Sequence, residues 1–362
     1  MTTKPVINLG AHFHAQGGVG RHARSFAMVL KTYAQVSPLY FFRPPAQMHM
    51  EGYPLPKPRL WDLSAPAICL STIDAQRKIP GNTQIAYTVW ETTKIPEPYL
   101  RYLDSVDQIW LPTEWGKSIF IENGVNANRI RVVPEGVDSD RFKPVDAAVN
   151  NKVFRFLCIG KWEQRKGIAD LIKTFCREFK HQEPIELIIH GFNLSLPQLN
   201  IAAKIKQICH QHGQQNARIV ISNPKPLGEL IALMQQCDAF VLPTRAEGWG
   251  LPILEAMACG LPCIVTDYSG HRVFANHNNS YLIRVKNMCK AMDPAVFPSN
   301  MDWGEWAQPD LEHLAYLMRY VVDNPDAAKA KGLNARIDAM RYWRWDQAAS
   351  IAMQYLQDDK LL

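Results

Sequence analysis

The chain has 362 residues, a formal net charge of +6 and 47% hydrophobic side chains, which is a globular composition. One hydrophobic core stops growing at this length, so we expect two domains. The scattered basic residues do not predict nucleic-acid binding, although the positive charge suits an anionic ligand or membrane surface. Because no apolar run could span a bilayer and residues 1–10 lack signal-peptide features, we expect a cytoplasmic protein, with peripheral contact at the inner face of the membrane.

The first half of the sequence alternates short apolar strands with helical segments, as a parallel doubly wound sheet requires. Gly18 and Gly20 fit a dinucleotide-binding fingerprint, but they follow the first strand by several residues. In addition, no acidic residue lies about 20 positions downstream to bind a ribose. The predicted strands of this half are 6–10, 39–42, 67–71, 84–89, 108–111 and 130–133.

The second half repeats this pattern after a polar, alanine-rich linker at 144–152. We predict an N-terminal domain at 1–146 and a C-terminal domain at 147–344, with a final helix near 345–362 that packs back onto the first domain. Two Rossmann-like domains are expected to face each other across a cleft at the carboxyl ends of their strands. The predicted strands of this half are 154–159, 186–190, 218–221, 239–242, 263–266 and 281–283.

A glycine-rich loop between two of these strands carries Glu247, and seven residues separate it from Glu255. On one helix the two side chains would lie about 12 Å apart along the axis, which is too far for one small ligand. With Glu247 in the loop and Glu255 in the first turn of a helix opening near Pro252, they can contact the two ends of an elongated polar molecule. Gly248 and Gly250 allow close backbone approach, and the helix N-terminus can bind an anion.

The sequence Glu247-GWGLPIL-Glu255 resembles the Glu-x7-Glu signature of retaining glycosyltransferases of the α/β GT-B fold, family 4 or group 1. The resemblance implies that Glu255 holds the ribose of a nucleotide sugar and that Glu247 faces the transferred sugar. Four residues between them are assigned to the same donor site: Gly248, Trp249, Gly250 and Leu251.

A second element of the resemblance is Gly160-KWEQR-Lys166-Gly, which follows the first strand of the second half. In the family two cations of this element hold the diphosphate. Lys166 matches directly, whereas Lys161 stands where arginine is usual and lacks its bidentate fork. By resemblance, Gly18 and Gly20 correspond to the N-terminal glycine loop that contacts the donor, and Asn223 ends a strand near the base.

The sequence departs from the family on the acceptor side. Trp90 and Glu91 stand where many members have a histidine, so Glu91 becomes our candidate for orienting the acceptor hydroxyl. The alternative is that Glu91 only caps the next turn. The acidic residue that often follows the glycine turn at Gly270 is also absent. The candidate catalytic residues are therefore Lys166, Glu247 and Glu91.

Metal and redox chemistry are not expected. His12 and His14 lack a third ligand nearby, and Asp138-Ser-Asp140 lies in a turn after a strand, so we predict no metal site and no cofactor. The eight cysteines are dispersed without a Cys-x-x-Cys pair and are interpreted as reduced, structural thiols.

We therefore predict metal-independent, retaining transfer of a sugar from a nucleoside-diphosphate sugar to an acceptor hydroxyl. The expected partners are that donor and a glycan or glycolipid acceptor, in bacterial-type polysaccharide, lipopolysaccharide or glycolipid synthesis. The alternative is a catalytically weak nucleotide-sugar-binding subunit of a glycan assembly complex.

Overall fold

The computed structural model describes residues 4–15, 17–41, 60–144, 153–192, 199–212 and 217–362. The chain divides into two compact units. The first contains Met1–Asp138 and Tyr342–Leu362, and the second contains Ser139–Arg341. The domain boundary that the sequence predicts after residue 146 lies outside the described residues.

The first unit contains a parallel sheet of six strands in the order β2-β1-β3-β4-β5-β6. The strands are β1 (Val6–Ala11), β2 (Gln35–Tyr40), β3 (Ala67–Leu70), β4 (Gln84–Tyr87), β5 (Gln108–Leu111) and β6 (Ile130–Val132). The helices are α1 (Gly18–Tyr33), α2 (Glu97–Leu100) and α3 (Glu114–Glu122).

Strand β2 lies earlier in the chain than the predicted strand 39–42, and it contains Pro38. The predicted strand overlaps β2 only at Leu39 and Tyr40, and it starts too late because a proline usually ends a strand, since it lacks the N–H group that a sheet ladder needs. Here β2 lies at the edge of the sheet, where one side of the strand has no neighbour and a proline is tolerated.

The second unit also contains a parallel sheet of six strands, in the order β12-β11-β10-β7-β8-β9, and an antiparallel pair, β13 and β14. The strands are β7 (Phe154–Lys161), β8 (Ile185–Phe192), β9 (Ile219–Ser222), β10 (Ala239–Leu242), β11 (Cys263–Thr266), β12 (Ser280–Ile283), β13 (Val285–Lys290) and β14 (Glu305–Pro309). The helices are α4 (Ile168–Glu178), α5 (Ile201–Gln211), α6 (Leu227–Gln235), α7 (Leu251–Ala258), α8 (Leu311–Asp323) and α9 (Pro325–Tyr342).

A last helix, α10 (Trp345–Asp358), packs against α1 within the first unit. The Trp345 ring lies 5.3 Å from the ring of His22, and Val137 pairs with Arg344 just before the helix begins. Arg131 forms an ion pair with Asp359 at 2.8 Å at the other end. The C-terminal segment therefore completes the first unit. Across the described residues, no helix reaches the length and apolar character that crossing a bilayer requires.

Candidate active site

The strand order of the second sheet marks where a ligand crevice forms. From β7 the chain moves outward to β8 and β9, and it then returns to the other side of β7 as β10. In open parallel sheets the crevice lies outside the carboxyl ends of the two strands at such a reversal. The loops that follow β7 and β10 carry Lys166 and Glu247 respectively, so the topology places both residues at the switch point.

Backbone and side-chain hydrogen bonds hold these two loops together. The Arg245 N–H donates to the Arg165 carbonyl oxygen at 2.6 Å, and the Thr244 hydroxyl donates to the same oxygen at 3.2 Å. Arg165 returns a bond from its guanidinium to the Ala246 carbonyl oxygen at 2.7 Å. These bonds join the loops after β7 and β10 into one frame, which consists of residues 165 and 244–246 and supports the side chains between the two strands.

A buried ion cluster occupies this frame. The Lys166 Nζ atom donates to both carboxylate oxygens of Glu247, at 2.7 and 2.8 Å. Arg165 lies 3.3 Å from Glu247 and 3.2 Å from a second carboxylate, Glu163. None of these four side chains is more than 10% exposed. Two cations and two carboxylates thus compensate one another away from water, as buried charges require.

The cluster keeps both carboxylates ionised. Burial by itself would raise the pKa of Glu247, but Lys166 and then Arg165 outweigh it and hold that pKa at about 2. Burial likewise opposes ionisation of Glu163, and Arg165 leads the cations that lower its pKa. Both carboxylates are therefore charged at neutral pH.

A third loop, after β11, fixes the backbone of Glu247 in both directions. The Glu247 N–H donates to the Ser269 hydroxyl at 2.8 Å, and the Gly270 N–H donates to the Glu247 carbonyl oxygen at 2.9 Å. Ser269 has φ 70° and ψ −160°, a conformation that L-residues rarely adopt. The strained backbone of Ser269 therefore places the hydroxyl that accepts the Glu247 N–H.

Gly270 gives a direct test of this loop contact, because a Cβ there would overlap the carbonyl oxygen of Gly248. We expect Gly270→Ala to displace the Glu247 segment, to cost about 1–3 kcal/mol in the free energy of unfolding, and to weaken donor binding about tenfold. Urea unfolding and calorimetric titration with the donor measure the two effects. Gly228→Ala is the matched control, since no atom lies within 4 Å of its added Cβ; equal losses in both variants would contradict the prediction.

His271 lies beside this frame and is fully buried. Its Nε2 atom donates to the Thr266 carbonyl oxygen at 2.7 Å, because a carbonyl can only accept. Burial lowers the pKa of His271 to about 4, although Glu247 opposes this shift. The imidazole is therefore neutral at physiological pH and supports the loop after β11 without adding charge.

The remaining polar residues assigned to the donor lie at strand ends and on α7. Lys161 is the last residue of β7, and its side chain is 45% exposed with Nζ 3.7 Å from Glu163. Asn223 follows β9 and is exposed. Glu255 is 2% exposed and lies in the second turn of α7, not the first, because the helix begins at Leu251.

The residues between the two glutamates form the turn into α7. Gly250 precedes the helix with φ 103°, which favours glycine, and no side chain caps the helix N-terminus. Leu251 is the first helical residue, and Gly248 lies in the loop. The Trp249 ring is 2% exposed and packs 5.1 Å from Phe274, so its side chain belongs to the core.

Three candidate residues lie in the first unit. Gly18 and Gly20 form the first turn of α1, not a loop as predicted, because the helical pattern of buried residues extends back to Gly20. Gly20 packs against the carbonyl group of Ala15. Glu91 is partly exposed in the segment after β4.

The structure also brings four residues to the site that were not predicted: Glu163, Arg165, Ser269 and His271. The first two lie inside the Gly160–Gly167 element, and their charges were the available signal. The last two flank Gly270 in the sequence, but neither the strain of Ser269 nor the burial of His271 has a sequence signature. Within the described ranges, no group of three or more His, Cys, Asp or Glu residues could hold a metal.

Comparison with known structures defines the fold class. The Anabaena protein HepE, solved in complex with UDP and glucose, superimposes with a TM-score of 0.72 over 99% of this chain and 100% of that one, at 15% identity. The fold is GT-B, with two Rossmann-like domains.

The sequence comparisons agree with the resemblance that the motifs predict. Residues 139–293 match the model described as glycosyl transferases group 1, so the predicted resemblance to that group is confirmed for this part of the chain. The matched range contains Lys166, Glu247 and Glu255, whereas Gly18, Gly20 and Glu91 lie outside it.

Two curated relatives are mannosyltransferases by name. The GDP-mannose:cellobiosyl-diphosphopolyprenol alpha-mannosyltransferase of Xanthomonas campestris is 26% identical over 55% of this chain, and the chain spans about half of that protein, 52%. The GDP-mannose-dependent alpha-(1-6)-phosphatidylinositol monomannoside mannosyltransferase of Mycobacterium tuberculosis is 23% identical over 75% of this chain and 67% of its own length.

Proposed function

We propose that this chain is a retaining glycosyltransferase that moves a sugar from a nucleoside-diphosphate sugar to an acceptor hydroxyl in polysaccharide, lipopolysaccharide or glycolipid synthesis. The observation that carries the proposal is the buried cluster of Lys166, Arg165 and Glu247 at the switch point of the second sheet. The relatives named for GDP-mannose-dependent transfer support the same reaction class.

The cluster suits the charge that the reaction creates. Breaking the bond between the sugar and the phosphate leaves negative charge on the departing diphosphate, and fixed cations at that point stabilise the transition state. Lys161 and Lys166 supply such cations, and the uncapped N-terminus of α7 adds oriented N–H groups. No metal is needed in this scheme, so we expect turnover to persist after treatment with a chelator.

Arg165 gives the cluster a second function. Lys166 can turn toward a diphosphate only if Glu247 keeps another counter-ion, since an unpaired buried carboxylate is costly. Arg165 is positioned to be that counter-ion, because it contacts Glu247 and is itself fixed to the Ala246 carbonyl. We propose that donor binding moves Lys166 onto the diphosphate while Arg165 stays with Glu247, which is then available to the transferred sugar.

The scheme also includes the other residues that we predict to contact the donor. Glu255 would hold the ribose through charged hydrogen bonds worth roughly 1.5–3 kcal/mol each. Gly248, Gly250 and Leu251 would contribute backbone groups at the start of α7. Trp249 would act only through its backbone, because its ring is buried.

Glu91 keeps its predicted function of orienting the acceptor hydroxyl, and one substitution tests it. We expect Glu91→Gln to lower the transfer rate about 2- to 10-fold, the range for one lost hydrogen bond, while donor affinity stays unchanged. Transfer assays and donor titrations on the same preparation measure both quantities. Unchanged turnover at full donor binding would remove Glu91 from the mechanism.

The reaction itself is tested with a panel of donors that includes GDP-mannose and UDP-glucose. Pure protein is mixed with each donor, and release of the nucleoside diphosphate is followed together with the anomeric configuration of any product. We expect one donor to raise the melting temperature and to be hydrolysed slowly without acceptor. Inversion of configuration would contradict the retaining mechanism.

The second candidate is a nucleotide-sugar-binding subunit with weak activity in a glycan assembly complex. Two departures from the family favour it, namely Trp90 and Glu91 in place of the usual histidine and the missing acidic residue after Gly270. Donor binding without turnover by any member of the panel would support this candidate over the enzyme.

A further inference from the structure

Two cysteines of the second unit lie in direct contact. The Sγ atoms of Cys176 on α4 and Cys209 on α5 are 3.6 Å apart, and the Cys176 thiol donates to the Cys209 sulfur. A disulfide bond is about 2.05 Å long, so the sulfurs need to approach by only about 1.5 Å. Neither side chain belongs to the donor site proposed above.

The two thiols are not equivalent. Cys176 is 1% exposed, whereas Cys209 is 6% exposed and is the more accessible of the pair. The hydrogen bond from Cys176 lowers the pKa of Cys209, while that bond and burial raise the pKa of Cys176. Because the thiolate is the form that peroxides oxidise, Cys209 is the thiol that reacts first.

We propose that Cys176 and Cys209 form an oxidation site for a hydroperoxide, which converts the pair into an intramolecular disulfide. The Cys209 thiolate attacks one peroxide oxygen, the O–O bond breaks, and a sulfenic acid forms as water or an alcohol leaves. The Cys176 sulfur then attacks the Cys209 sulfur, the S–O bond breaks, and a water molecule leaves with the Cys176 proton. In total the two thiols lose two hydrogen atoms and the peroxide is reduced.

The position of the pair gives this bond a structural consequence. Helix α4 begins at Ile168, two residues after Lys166, and Cys176 lies near the other end of the same helix. A disulfide would join α4 covalently to α5, which it otherwise contacts by packing. Oxidation would therefore restrain the helix that follows the loop of the ion cluster.

The test uses the reduced full chain and hydrogen peroxide. Remaining thiols are blocked after treatment, and the protein is digested without reductant. We expect a mass spectrum with a peptide that joins residues 176 and 209, an intact mass lower by two hydrogen atoms, and reversal by dithiothreitol. A sulfenic-acid reagent should label Cys209 in Cys176→Ser but should not label Cys176 in Cys209→Ser.

Cys289 provides the internal control in the same digest. It is more exposed than either member of the pair, and its sulfur contacts the Gln308 side chain, not a thiol. We expect peroxide to convert Cys289 into a sulfenic acid, which the sulfenic-acid reagent labels, and we expect no disulfide at Cys289. A peroxide dose that oxidises Cys289 but yields no 176–209 peptide from the wild-type chain would overturn the proposal, even if a serine variant did not fold.

Discussion

Lys166→Ala is expected to lower the rate of sugar transfer about 10²- to 10³-fold, the usual cost of removing one preorganised group that stabilises transition-state charge. The substitution also leaves Glu247 buried with Arg165 as its main counter-ion. Breaking a buried pair in this way costs about 3–5 kcal/mol, and the remaining arginine should keep the loss near the lower value. Single-turnover kinetics and denaturant unfolding measure the two effects.

Lys173→Ala is the matched control for this prediction. Lys173 lies on α4, one turn beyond the loop, and its 44% exposed side chain pairs with Asp170 at 3.3 Å. Because Lys173 is largely solvated and Asp170 keeps Arg245 as a second partner, the pair contributes little, and we expect near-normal turnover and stability. A Lys166→Ala enzyme that folds and still turns over like the Lys173 variant would contradict the assignment of the diphosphate cation.

Arg165→Gln is expected to lower kcat/KM about 10- to 100-fold at neutral pH, which corresponds to about 1.4–2.8 kcal/mol. The reason is that Glu247 would become an unpaired buried carboxylate if Lys166 moved to the diphosphate. The variant should also change the pH profile. In the native protein the pKa of Glu247 is about 2, well below its ordinary value, so its ionised form is lost only in strong acid. Removing Arg165 raises this pKa, and the acidic limb of the profile should move to higher pH.

Arg165→Lys tests whether the charge of Arg165 or only its packing is needed. The lysine keeps the positive charge, so we expect the acidic limb to stay close to that of the native enzyme even if the rate falls. Arg177→Gln is a second control, since Arg177 is 49% exposed and pairs with Glu312, which is 78% exposed. If the acidic limb stays in place in Arg165→Gln, Arg165 is not the counter-ion that holds Glu247.

Much of the fold could be predicted because its strands are buried on both faces. Strand β10 is a fully apolar run, β11 is apolar up to its last residue, and every residue of both strands is buried. The β13–β14 pair was missed because most of β13 is exposed and its polar and apolar residues do not alternate cleanly. Helix α9 was missed for a different reason, since its buried positions are only alanine and glycine.

The candidate site could be predicted only where residue spacing carries the chemistry. Lys166 and Glu247 belong to two motifs with characteristic spacing, and the structure brings their side chains into contact. Arg165 was not predicted because two of its partners, Ala246 and Glu247, lie about 80 residues away, and pairing across that separation depends on the strand order. Ser269 could not be predicted either, because nothing in its residue type indicates a positive φ.

The packing of α10 on α1 has a consequence for biosynthesis. A ribosome completes α1 early, but the Trp345 ring that covers His22 emerges only after the whole second unit has been made. Nascent chains usually fold their N-terminal domain first. Here the second unit can reach its native state while the first unit still lacks α10. The two units would therefore complete their folding in the reverse of the order in which they are translated.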